Sequence, residues 1–271
     1  MEIDGLRIHY YDFGPREGAP LLFHVHGYMG GGIEALSLSE ALPGWRVLAP
    51  DLPGSGFSAS PASGYGASYL AGFVARFVEA LAPGSKFALS AHSMGASIAL
   101  EYAVRYAPEG LTRIALWAPD GYQGEEGPLL SLASSDFLFS LYAALLSRPF
   151  YDLGAMLNVF HDPSRLKEPF RSVLREGNFA TGWKDRLKSL TRLALGILRA
   201  EELAPLVRQP VLVVWGRQDR VLGFEWSARF MEDLPDGRLL AIDGCGHVPH
   251  VERMDVAGPA LRAFLAGGSA E

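Results

Sequence analysis

Cysteine is almost absent from this chain: Cys245 is the only one among 271 residues, so no intrachain disulfide can form. Asparagine is confined to Asn158 and Asn178, and lysine to Lys86, Lys167, Lys184 and Lys188, with arginine strongly preferred. Scarce amides point to a thermophilic host, or to a GC-rich genome that imposes the same bias. No apolar run approaches the roughly 20 residues of a membrane-spanning helix. The N-terminal segment, Met1 to Tyr10, alternates like a strand and lacks the charged and apolar regions of a signal peptide. A soluble cytoplasmic protein is therefore expected, with no membrane partner. The net charge of −6 argues against nucleic acid, which favours a basic surface. The glycine-rich stretch Gly27 to Gly32 lacks both the Gly-x-Gly-x-x-Gly spacing and a Walker lysine, so phosphate binding is not expected either.

What is present is a core. Hydrophobic residues make up 49% of the chain, enough to bury a substantial interior, and there are no repeats or low-complexity tracts. After an N-terminal antiparallel hairpin, strands are expected near 20–25, 45–49, 86–91, 112–117, 211–215 and 238–242. Between Ser68 and Leu81, apolar residues at spacings of three and four (Leu70, Phe73, Val74, Phe77, Val78, Leu81) predict a helix lying on a sheet. Alternating strands and helices imply an α/β fold whose mostly parallel central sheet is covered by helices on both faces. Residues 121–202 break the alternation: the stretch is helix-like and punctuated by Pro128, Pro149, Pro163 and Pro169. The chain thus divides into a first core segment, 1–120, a helical insertion, 121–202, and a second core segment, 203–271.

The most informative residue is Ser93. Ser90-Ala91-His92-Ser93-Met94-Gly95-Ala96 joins the apolar run Lys86 to Leu89 to a helix-like run, so Ser93 occupies a strand-to-helix turn with its hydroxyl exposed above the strand end. Small residues two before and two after are a steric need of such a turn, and Ala91 and Gly95 meet it; alanine in place of the usual glycine predicts a slightly tighter elbow. The backbone N–H of Met94 then opens the helix and can face an oxyanion. Downstream, Val211 to Trp215 reads as a buried strand running into Gly216-Arg217-Gln218-Asp219, and Leu239 to Ile242 runs into Asp243-Gly244-Cys245-Gly246-His247. Serine, aspartate and histidine, each at the end of a strand, are the parts of a nucleophilic triad.

In that order these motifs resemble the α/β-hydrolase superfamily, in its esterase, perhydrolase and carbon–carbon hydrolase neighbourhood, and the likeness covers nearly the whole chain. Pro20 to Tyr28 resembles the family strand ending in His-Gly, and Asp51 to Ser58 the Asp-x-x-Gly-x-Gly-x-Ser loop. The resemblance implies an α/β-hydrolase fold with an inserted helical cap at 121–202, a triad of Ser93, Asp219 and His247, and an oxyanion hole from the backbone N–H groups of Met94 and Tyr28, with Gly27 the rival of Tyr28. It implies no cofactor. The implied activity is hydrolysis of carboxylic esters with small to medium acyl chains by a carboxylesterase-like serine enzyme. Serine at position 93 sets aside the aspartate-dependent dehalogenase and epoxide hydrolase branches. Carbon–carbon hydrolases usually carry a glycine- and proline-rich oxyanion loop and an aromatic residue after the histidine, where this chain has Tyr28-Met29-Gly30-Gly31 and Val248. A carbon–carbon hydrolase of ring-cleavage products, which these departures weaken without excluding, or a cofactor-free perhydrolase is the alternative, and a small-molecule receptor that keeps an intact triad is an alternative of another class.

A pocket between cap and sheet would be lined by Phe137, Tyr142, Phe150, Met156 and Val248, with Phe139 and Phe160 further candidates. The basic side chains of the second half of the insertion, Arg186 among them, read as a solvated face, one of which could meet a substrate carboxylate. Asp120, just past a strand, competes with Asp219 for the acid role. His24 with His26, and His247 with His250, have metal-compatible spacings, yet no cysteine or carboxylate is placed around them as in a recognisable zinc site, and no metal is expected. His92 reads as structural and Cys245 as a small filler. The natural substrate and the oligomeric state, monomer or homodimer, stay open.

Overall fold

In the computed structural model, the described residues are 1–61, 66–106, 108–122, 139, 143–144, 147, 158–180, 182–196 and 200–267. Seven strands form the central sheet: β3 (Tyr10–Phe13), β4 (Leu21–Val25), β5 (Arg46–Pro50), β6 (Phe87–His92), β7 (Leu111–Trp117), β8 (Val211–Gly216) and β9 (Gly237–Ile242). They lie in the order β3-β5-β4-β6-β7-β8-β9. All neighbours are parallel except β3, which pairs antiparallel with β5 at the edge. The six strands expected from β4 to β9 are all present. The N-terminal hairpin, β1 (Glu2–Ile3) with β2 (Leu6–Arg7), is a separate two-stranded sheet.

Strand periodicity sorts the side chains into two layers. On one face Phe23, Val25, Leu89, Ala91, Leu116, Val213 and Trp215 pack with residues of α2 (Ala67–Leu81) and α3 (Met94–Arg105). On the other, Leu22, Ala88, Ala115, Trp117, Leu212 and Val214 pack under α1 (Ala35–Ala41) and the C-terminal helix Met254–Leu265. Helix α2 buries Leu70, Phe73, Val74, Phe77 and Val78, the stripe its spacing predicts. Each such side chain taken from water contributes roughly 1.5–3 kcal/mol, so this stripe alone secures the helix.

The alternation has a second effect. Since Leu22 and Ala88 face the α1 side, His24, Ser90 and His92, which follow at steps of two, face it as well. The parallel register aligns His24 with Ser90 and His92 with Trp117 at the carboxyl ends of the strands. A polar group is thereby assembled directly below Ser93.

Of the 121–202 insertion, the described helices are α4 (Phe170–Asn178), α5 (Trp183–Gly196) and the short α6 (Ala200–Leu203). Arg186 of α5 donates from Nε to Gly54 O at 3.0 Å and from Nη2 to Gly56 O at 2.6 Å. Asn178 of α4 donates to Met29 O at 2.7 Å, and Tyr28 Oη lies 2.6 Å from Thr191 Oγ1. These helices thus grip two loops at the carboxyl edge of the sheet, the 27–31 loop and the 51–58 loop. Among the described residues, no helix is long and apolar enough to cross a membrane.

Candidate active site

Ser93 has φ 50° and ψ −124°, a left-handed conformation that a side chain adopts only when its surroundings enforce it. The enforcement is visible: Ser93 N–H donates to Trp117 O on the adjacent strand at 3.0 Å, and Ser93 O accepts from Ala96 N at 2.8 Å as α3 begins. Gly95 explains the demand for small residues, because a Cβ there would strike the carbonyl oxygens of Val25 and His26. Ala91 is fully buried within β6 and is accommodated.

The loop after β9 brings His247 Nε2 to 3.0 Å from Ser93 Oγ, and the loop after β8 brings Asp219 Oδ2 to 2.8 Å from His247 Nδ1. The Asp219 side chain is buried, and its other oxygen accepts from Val221 N at 2.8 Å and Leu222 N at 3.0 Å, so the carboxylate accepts and has nothing to give. Nδ1 of His247 must then carry the hydrogen, which leaves Nε2 as the acceptor facing the serine hydroxyl. Asp120 sits differently: its N–H donates to Ser93 O at 3.2 Å and its carbonyl accepts from Ser97 Oγ at 2.7 Å, which braces the elbow from behind.

Two loops shape the space in front of Ser93. A Cβ on Gly27 would come within 3.0 Å of Ser93 Cβ, so the 27–31 loop passes tightly against Ser93. Asp51 fastens that loop: its Oδ1 accepts from Gly32 N at 2.8 Å, while Oδ2 accepts from Phe57 N at 2.9 Å and pairs with His9 Nδ1 at 2.9 Å. Met94, as the first residue of α3, carries one of the amides a helix cannot satisfy internally.

A scan of family models matches residues 22–257 to one described as "Alpha/beta hydrolase family". The chain belongs to the α/β-hydrolase family. It is 24% identical over 273 residues to Lipase 1 of Psychrobacter immobilis, covering 96% of this chain and 81% of the lipase. It is 28% identical over 279 residues to a 2-hydroxy-6-oxo-6-phenylhexa-2,4-dienoate hydrolase of Burkholderia cepacia, covering 98% and 93%. The solved structure of a Rhodococcus hydrolase of that same name superposes with a TM-score of 0.79 at 22% identity, covering 96% of this chain and 95% of the other, which shows the shared fold. Lipases and hydrolases of ring-cleavage products are thus both among the relatives of this α/β hydrolase.

Of the expected pocket residues, Phe137, Tyr142, Phe150 and Met156 lie outside the described residues. Val248 is buried with Ile33, Phe160 and Phe170. Phe139 packs with Ala143 and Leu187 against Tyr28 and Met29, an apolar roof over the 27–31 loop. Cys245 is buried, and burial pushes its thiol well above the usual range, in keeping with an inert filler.

The sequence reading missed Glu34. It precedes α1, is fully buried, and its Oε2 lies 3.3 Å from His24 Nε2, 3.1 Å from His92 Nδ1 and 3.2 Å from His250 Nε2. His24 and His26 do not converge, because His26 Nδ1 faces Gly27 O at 2.8 Å while its Nε2 accepts from Leu52 N at 3.0 Å. The carboxylate came instead from ten residues beyond His24, and an acid closing a glycine-rich loop at a helix start was the available signal. His24, Glu34 and His250 present ligating atoms within 4.8 Å of one another, the one such group found among the described residues. Hydrogen bonds account for those atoms without an ion. Trp117 Nε1 donates to Ser90 Oγ at 2.8 Å and Ser90 to His24 Nδ1 at 2.9 Å, so His24 Nε2 carries the hydrogen given to Glu34.

Burial lowers the pKa of His24, and lowers that of His250 to about 3, against the opposing pull of Glu34. Burial pushes Glu34 upward, but the His92 charge and the three histidine hydrogen bonds outweigh it and hold the carboxylate well below its ordinary range. The sign of the linkage is the same for all three. An unfolded chain binds protons at these histidines below about pH 6.5 and the folded one does not, so their stabilisation is complete above that pH and is lost on acidification. Glu34 adds a further loss below its unfolded value near 4.5. Each histidine can contribute up to about 1.4 kcal/mol per pH unit. Thermal melts from about pH 6.5 to about pH 4 should therefore show Tm falling steadily; a Tm unchanged between about pH 6.5 and pH 5 would contradict a neutral, buried His24 and His250.

Proposed function

We propose that this α/β hydrolase is a serine carboxylesterase, cleaving esters of small to medium acyl chains through an acyl-enzyme. The observation that supports it most is the unbroken hydrogen-bonded line Ser93 Oγ, His247 Nε2, His247 Nδ1, Asp219 Oδ2, at 3.0 and 2.8 Å, mounted on a strained elbow. In this reading Ser93 attacks the ester carbonyl while His247 takes its proton, and the developing imidazolium is stabilised by Asp219. The tetrahedral oxyanion is received by the backbone N–H groups of Met94 and Tyr28; such a donor is worth about 10²–10³ in rate. Collapse expels the alcohol, protonated by His247, and water activated by the same base then releases the acid.

The roof of Phe139, Leu187 and Trp183 over Tyr28 and Met29 supports an apolar acyl partner. A second reading, hydrolysis of a carbon–carbon bond in a ring-cleavage product, is favoured by the 28% identity to the Burkholderia cepacia enzyme over nearly the whole chain. The two separate on substrate. Given p-nitrophenyl esters from acetate to palmitate alongside a 2-hydroxy-6-oxohexa-2,4-dienoate, the protein should turn over the esters with a maximum at one short or medium chain length. Turnover of the dienoate alone would replace the esterase reading by the second one, and binding without turnover of either would point to a receptor.

A further inference from the structure

The buried histidine beside the nucleophile has a proton inventory that fixes what it does. His92 Nε2 lies 3.0 Å from the main-chain oxygen of His247, an atom that only accepts, so Nε2 must carry a hydrogen. His92 Nδ1 lies 3.1 Å from Glu34 Oε2, the carboxylate that also receives His24 and His250. With Nε2 protonated and a carboxylate at Nδ1, His92 and Glu34 share one further proton, and an ionised Glu34 makes His92 an imidazolium. One negative carboxylate, one imidazolium and two neutral histidines then balance within a volume closed to water.

The bond to His247 is not incidental. Both main-chain polar groups of His247 are held: N–H by Val159 O at 2.8 Å and C=O by His92. The preceding residue is held as well, since Gly246 N donates to buried Glu252 Oε2 at 2.7 Å. No helix or strand fixes this loop at His247, so these bonds decide where the imidazole stands. The His92 and His247 rings are also close, with centroids 4.9 Å apart.

We propose that Glu34 and His92 are a second positioning pair of this active site, fixing the backbone of His247 and, by their charge, keeping its imidazole neutral until Ser93 attacks. The proposal rests on the serine hydrolase reading for its catalytic consequence. The side chains placed against the His247 imidazole are Asp219 from the loop after β8 and His92 and Ser93 from the end of β6; from the helix Pro249–Glu252, His250 packs on the His92 ring and Glu252 holds Gly246 N, and Cys245 lies on the same loop. Glu34 and His24 stand behind His92. Asp219 favours an imidazolium at His247 and the charged ring of His92, 4.9 Å away, opposes it; Glu34 lies beyond that ring, so replacing its carboxylate lets His92 give up its proton and ends the opposition.

The test uses the rate of Ser93 labelling by a fluorophosphonate probe as a function of pH, which reports the activated nucleophile and needs no natural substrate. Glu34→Gln keeps a neutral partner for His92 Nδ1 and the bond to His247, and should move the acid limb of the labelling profile up by about half to one pH unit. His92→Leu removes the bond and should slow labelling tenfold or more, whereas His92→Gln, which retains a donor, should recover part of that loss. Variants whose rates and acid limbs match the native protein, whatever happens to Tm, would overturn the proposal. If His92→Leu fails to fold, the Glu34→Gln and His92→Gln profiles decide alone. If the native protein does not label, the serine hydrolase reading falls; NMR titration of the His247 imidazole then tests the pair independently, a raised pKa in Glu34→Gln sustaining it and an unchanged one refuting it.

Discussion

Replacing Ser93 by alanine should lower kcat/KM for the best p-nitrophenyl ester by about 10⁴–10⁶, the range reached when a triad nucleophile is removed, while leaving Tm nearly unchanged. The hydroxyl bonds to His247, and everything that holds the elbow is main chain: the Ser93 N–H to Trp117 O and the Ser93 O from Ala96 N. Alanine at φ 50° carries the same backbone strain as serine and keeps the same Cβ against Gly27. Activity and stability should therefore separate cleanly. Retention of more than a tenth of the native rate by a well-folded Ser93→Ala protein would mean that the ester is cleaved elsewhere.

Asp219→Asn should cost nearly as much, about 10⁴ in kcat, with KM little changed. An asparagine oxygen can keep the bonds from Val221 N and Leu222 N, so the loop after β8 is preserved. The amide nitrogen is then left facing His247 Nδ1, and because it donates, it forces the hydrogen of the neutral imidazole onto Nε2. That nitrogen can no longer take the Ser93 proton. The comparison with Asp120→Asn decides between the two acids. Asp120 meets the elbow through its main chain, and its substitution should leave kcat within a few-fold of native. A near-native Asp219→Asn with a disabled Asp120→Asn would reverse the assignment.

Much of the site was legible because its parts lie next to strand ends. Ser93 is marked by the small residues Ala91 and Gly95, and the structure shows why, since any Cβ at 95 meets the carbonyls of β4. Asp219 and His247 each follow an apolar strand by a few residues, and a parallel sheet with right-handed crossovers brings all such loops to one edge. The six strands from β4 to β9 were legible for the same reason, as short apolar runs separated by turns. The edge strand Tyr10–Phe13 was hidden within an expected hairpin, because its partner, β5, is more than 30 residues away and antiparallel to it.

Glu34 could not be read in this way. An acid closing a glycine-rich loop at a helix start was only a weak signal, because its partners come from β4, β6 and the helix after His247. His24 and His26 invited a metal reading because spacing along a strand shows only which face a side chain takes, not what covers it. Arg186 likewise read as one charge on a solvated face, and its bonds to Gly54 O and Gly56 O depend on how α5 lies across the 51–58 loop.

The amino-acid sequence by itself determined the layered α/β architecture and the order of Ser93, Asp219 and His247 at strand ends, because hydrophobic period and turn sterics are local properties of the chain. Which proton each histidine carries, and the burial of Glu34 among three of them, were decided only by tertiary structure. Those depend on hydrogen-bond partners brought from 10 to 216 residues away, and a chain's local pattern does not encode the distances between atoms so far apart in sequence.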